Sequence, residues 1–131
     1  MRLNSIILAL LALASQAAAH GPGVEVSGLK VVHGDESVFL EVQLDPPEGG
    51  ATLIAASTPF GSARFESRNS GSYQFTEGIA ITHQQGTLGI ATPYRVRLPE
   101  IPRGERTVPV TLLFTGGSIL QVEARMPRGV R

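Results

Sequence analysis

Apolar and polar positions alternate with a period of two along much of this chain. In segment 37–44, Val38, Leu40, Val42 and Leu44 fall on one face, the pattern of a half-buried strand. Segment 24–32 reads as another strand, interrupted at Gly28, and 51–58 as a third, ended by Pro59 and Gly61. Segment 63–66 predicts a short strand with Phe65 inward and Arg64 and Glu66 on the other side. Short extended pieces follow at 73–75, 78–81 and 87–90, then a cleanly alternating one at 94–98. A hairpin closes the pattern, 107–115 and 118–125 around Gly116-Gly117.

Turn chemistry separates these pieces: Asp45-Pro-Pro-Glu-Gly-Gly50, a polar loop over 67–72, a turn over 83–86 and a loop over 99–106. Pro109 marks an edge position or the start of its strand, because it removes a ladder donor. No stretch of a dozen residues after the first twenty carries a 3.6-residue period. The pattern therefore predicts an all-β domain of about eight to nine short strands, an antiparallel Greek-key barrel or sandwich. The tail, 126–131, is expected to fray.

Residues 1–20 read differently. Arg2 precedes an apolar run over 6–14, followed by Ala17-Ala18-Ala19 and His20. A basic start, a short apolar core and a small-residue site make up a secretory signal peptide. The run is short against the ~20 residues that span a bilayer, so a cleaved leader is expected over a stable membrane anchor. The chain thus divides into a leader, 1–19, and one domain, 20–131, destined for the periplasm or the exterior. Cleavage after Ala19 leaves His20 as the amino terminus; cleavage after Ala18 does not.

Without the leader, 10 basic residues face 11 acidic ones, and this balance argues against nucleic acid as a partner. The absence of cysteine excludes disulfides, thiolate metal sites and cysteine catalysis. Nor is an enzyme indicated. None of Ser57, Ser62, Ser67 or Ser72 sits in a Gly-x-Ser-x-Gly elbow, and Asp35 and Asp45 lie in separate turns.

Several segments, taken in order, resemble the periplasmic copper chaperone family called PCu(A)C. Ser27-Gly-Leu-Lys-Val-Val-His33 is similar to its opening strand, with Gly34 where the family has proline and without the tryptophan that follows. Leu53-Ile-Ala-Ala-Ser-Thr-Pro59, Glu77-Gly-Ile-Ala-Ile81, Tyr94-Arg-Val-Arg-Leu98 and Val108-Pro-Val-Thr-Leu-Leu-Phe114 resemble later segments, and the likeness covers most of 27–125. It implies a cupredoxin-like barrel, copper as the ligand and a copper-accepting or other periplasmic protein as partner.

The family holds Cu(I) in a His-x10-Met-x21-His-x-Met pattern of soft, uncharged donors. Here the last His-x-Met falls on Arg95 and Arg97, the first methionine on Tyr73, and the first histidine on Glu66, or on Ser67 if the register slips. Arginine offers no lone pair, so the resemblance implies a fold whose Cu(I) ligands are gone. Glu66, Tyr73, Arg95 and Arg97 are candidates to converge at one end of the barrel, where an arginine–carboxylate pair would take the metal's place as a structural clamp, worth about 0–1 kcal/mol if exposed. Arg95 and Arg97 are otherwise expected as a solvated strand edge, or as an anion or partner site. His20, His33 and His83 remain as metal candidates, with His20 chelating through its amine and ring if it is the amino terminus.

Overall fold

The period-two segments form strands that curl about one apolar core. A computed structural model describes residues 23–34 and 36–127; the leader, His20, Asp35 and residues 128–131 lie outside it. Among the described residues there are eleven strands: β1 (Glu25–His33), β2 (Val38–Asp45), β3 (Ala51–Thr58), β4 (Gly61–Ser62), β5 (Arg64–Asn69), β6 (Ser72–Thr76), β7 (Ile79–Ile81), β8 (Thr87–Leu88), β9 (Tyr94–Arg97), β10 (Thr107–Phe114) and β11 (Ile119–Arg125). The count exceeds the expected eight to nine; β4, of two residues, has no counterpart in the sequence pattern, and β8 is the first half of segment 87–90.

Their order is β4-β3-β10-β11-β1-β2-β9-β5-β6, with β7 added to β3 and β8 to β2. The sheet closes into a half-barrel, so the all-β expectation holds. It is not wholly antiparallel: β1 runs parallel to β11, and the other pairings are antiparallel. The predicted inward face of β2 packs on Val96, Leu53, Ile79 and alternate residues of β10, with Leu112 and Phe114 fully enclosed. Burying each such side chain contributes about 1.5–3 kcal/mol, and without disulfides this core must hold the domain.

Three local features refine the sequence expectation. The interruption at Gly28 is a bulge, where the β1–β2 register shifts between Ser27 and Lys30 and Gly28 takes φ +59°. Pro109 lies within an interior strand, yet β3 reaches β10 only from Thr111 onward, so the proline's ring side has no strand to face.

The third is a correction. Segment 67–72 is not a loop: β5 runs to Asn69 and β6 begins at Ser72, joined by Ser70 and Gly71 at φ +56° and +88°. Positive φ at both central residues is the turn that matches strand twist in a two-residue hairpin. The sequence pattern hid these strand ends because Ser67, Arg68 and Asn69 are all polar, leaving no alternation to see.

Candidate functional site

On β9, Val96 points into the core, which sends Arg95 and Arg97 to the outer face. On β5, Phe65 points inward and Glu66 outward, and Glu66 pairs directly opposite Arg95. Directly opposed residues share a face, so the backbone alone brings these side chains together. Tyr73 joins from β6, diagonal to Glu66, and Phe39 from β2, opposite Arg97. Ser67 lies on the other side of the pleat from Glu66. Of the two positions considered for the first ligand, only Glu66 shares the face of Arg95.

The Glu66 carboxylate accepts from both arginines. Arg95 Nε donates to Oε1 and Arg97 Nε to Oε2, each at 2.7 Å. Arg97 Nη1 also donates to Ser37 Oγ, and Arg95 Nη1 donates to the Ile90 carbonyl at 3.2 Å. The Arg95 guanidinium lies between two rings, 3.5 Å from the centroid of Tyr73 and 4.4 Å from that of Phe39. Tyr73 is held in turn by its hydroxyl, which donates to the Thr92 carbonyl at 2.7 Å.

This arrangement corrects the expected solvated edge. The side chains of Glu66 and Arg95 are only 13% and 15% exposed, and that of Arg97 30%. The rings and the loops flanking β9 supply the cover. Phe39 accounts for much of it, although its place among the polar positions of β2 marked it as outward: it is nearly fully buried beneath the guanidinium groups. Gly34 makes room for that ring. A Cβ at residue 34 would lie 2.5 Å from Phe39 Cε2 and 2.9 Å from Ile90 Cδ1, so glycine at this position fits the buried phenylalanine.

Burial raises the pKa of Glu66, but hydrogen bonds from Arg97 and Arg95, with their charges, outweigh it and hold the carboxyl below the ordinary 4.5. A depressed folded-state pKa contributes stability that is complete above the unfolded value and lost as pH falls through the folded one. The stability gap between the wild type and Glu66→Gln should therefore stay constant from pH 8 to about pH 5 and shrink below that. Urea titrations at stepped pH would measure it, and a gap unchanged at pH 2.5 would refute the clamp as its source.

The histidines do not meet. His33 ends β1 opposite Val38, whereas His83 lies at the other end of the sheet, its Nδ1 3.5 Å from Asp45 Oδ1. Asp45 pairs with Glu25 at the start of β1, so about 25 Å of strand separates the two histidines, and they cannot share an ion. His20 lies outside the described residues. Among the described residues no three His, Cys, Asp or Glu side chains are grouped to hold a metal. The set Glu66, Tyr73, Arg95 and Arg97 does not fit Cu(I) either: it has two permanent cations, a phenol already engaged and a carboxylate saturated by arginine.

The sequence reading missed Phe39 and Ser37, and it did not weigh Arg64 and Arg68, which share the outer face of β5 with Glu66. The i, i+2 spacing of Arg64, Glu66 and Arg68 was the available signal. Neither a protein-family model nor any curated protein matches this chain. Fold and site together define an all-β half-barrel domain with an arginine–glutamate–arginine clamp on its outer face.

Proposed function

We propose that this chain is an exported, copper-chaperone-like domain of the PCu(A)C type that has replaced its Cu(I) site with an ion-paired clamp and serves as a protein-interaction module. The export rests on the leader pattern, and the copper lineage on the ordered resemblance of residues 27–125. The observation that carries the functional reading is the clamp itself. Glu66, Tyr73, Arg95 and Arg97, the positions that the resemblance aligns with copper ligands, converge on one face and hold one another. A second reading retains copper at a displaced site. Its support is His83 beside Asp45, at the end of the sheet where β1 begins, five residues after His20.

Among the described residues no helix is long and apolar enough to cross a membrane. No reaction is assigned to the domain. Equilibrium dialysis of the processed protein against Cu(I) and Cu(II) separates the two readings. The module predicts no stoichiometric uptake of either ion. Tight uptake abolished by His83→Ala or His20→Ala would replace it with the displaced site.

A further inference from the structure

The strand β6 is the last in the sheet order and pairs with β5 alone. At the opposite end the terminal strand β4 has two residues, whereas β6 has five. In a two-residue hairpin the closing pair is hydrogen-bonded and the pattern alternates. Asn69–Ser72, Ser67–Gln74 and Phe65–Thr76 are then the bonded pairs, and the backbone groups of Tyr73 and Phe75 point away from β5. The strand Ser72-Tyr-Gln-Phe-Thr76 carries neither a charge nor a proline, the usual blocks to pairing at an edge.

The side chains beside this edge have a marked bias. Four arginines, at 64, 68, 95 and 97, share the outer face with Glu66, and Glu66 is spent on Arg95 and Arg97. Arg64 and Arg68 have no carboxylate within 4 Å among the described residues. Arg64 lies 5.7 Å from the Phe75 ring, and Arg68, 6.0 Å from the Tyr73 ring, donates through Nη1 to the Ala91 carbonyl at 3.2 Å. Phe75 is 62% exposed, a large apolar surface on an otherwise polar hairpin.

We propose that the free edge of β6 takes up an extended acidic segment of a partner protein as an added strand, with Arg64 and Arg68 pairing its carboxylates and Phe75, on the same face, packing on the methylene groups of those acidic side chains. Main-chain donors at Tyr73 and Phe75 supply the pairing, and charge selects the sequence. A strand neighbouring β6 places every second side chain on the arginine face, so the carboxylates recur at alternate positions. The excess of positive charge disfavours a second copy of this chain at the same edge, and the near-neutral domain disfavours a nucleic acid. The inference rests on strand pairing and charge, independently of the copper lineage.

The probe is an eight-residue peptide of alternating glutamate and valine, added to the processed wild-type protein at low salt. Binding should slow amide exchange at Tyr73 and Phe75 and leave β4 unaffected. Phe75→Pro, which removes an outward N–H without touching the β5 ladder, should weaken binding about tenfold more than Phe75→Ala. Arg64→Glu with Arg68→Glu should weaken it by about a hundredfold or more and favour the lysine–valine counterpart. Equal effects of Phe75→Pro and Phe75→Ala would overturn the added strand. So would unchanged exchange at the edge, equally tight binding of a DNA oligonucleotide, or a wild-type dimer that the peptide does not dissociate.

Discussion

Glu66→Gln is expected to lower the unfolding free energy by roughly 2–4 kcal/mol, far more than a surface ion pair would. The physical reason is what the substitution leaves behind. Arg95 lies between Tyr73 and Phe39 with 15% of its side chain exposed, and cannot recover the hydration that the carboxylate replaced. A glutamine offers one carbonyl acceptor and no charge to two guanidinium groups. The value falls below that of a fully enclosed pair because Arg97 keeps 30% of its side chain in solvent. Urea denaturation at neutral pH gives the measurement, and a loss under about 0.5 kcal/mol would show the cluster to be solvated after all.

Replacing the whole cluster should behave differently. A variant with Glu66→His, Tyr73→Met, Arg95→His and Arg97→Met should fold, because removing all partners of an ion-paired group strands no charge. It should then take up one Cu(I) per chain where the parent takes up none. The backbone already places positions 66 and 95 opposite each other, 73 diagonal to 66, and 97 on the same face. Imidazole and thioether are soft, neutral donors suited to Cu(I). With free ion at about a hundred times its Kd, the variant should gain about 2.7 kcal/mol of stability that the parent does not. A folded variant that binds no Cu(I) would show that the likeness to the copper family does not extend to the ligand geometry.

Most of the core was legible from alternation. Val38, Leu40, Val42 and Leu44 alternate onto one face of β2, and the last three are fully buried with Val38 packed against them. Phe65 was read inward and is buried. The ends of β5 and β6 were not legible, because strand pairing there rests on a turn and on hydrogen bonds rather than on an apolar face. The candidate positions were found by counting along a family pattern, which identifies residues but carries no information on their exposure. Hence the pattern puts Arg95 and Arg97 in solvent, whereas their side chains are only 15% and 30% exposed.

The sequence by itself determined the class of fold, most of the turns and the absence of Cu(I) donors at positions 66, 73, 95 and 97, since these depend on residue type and on spacing over a few positions. Only the tertiary structure decided that Glu66 lies opposite Arg95 rather than beside open water. It alone showed that Phe39 closes the cluster from β2, that His33 and His83 stand at opposite ends of the sheet, and that β6 is left at the edge. Each of these depends on register between strands distant in the chain, and a one-residue slip in register turns every side chain to the other face.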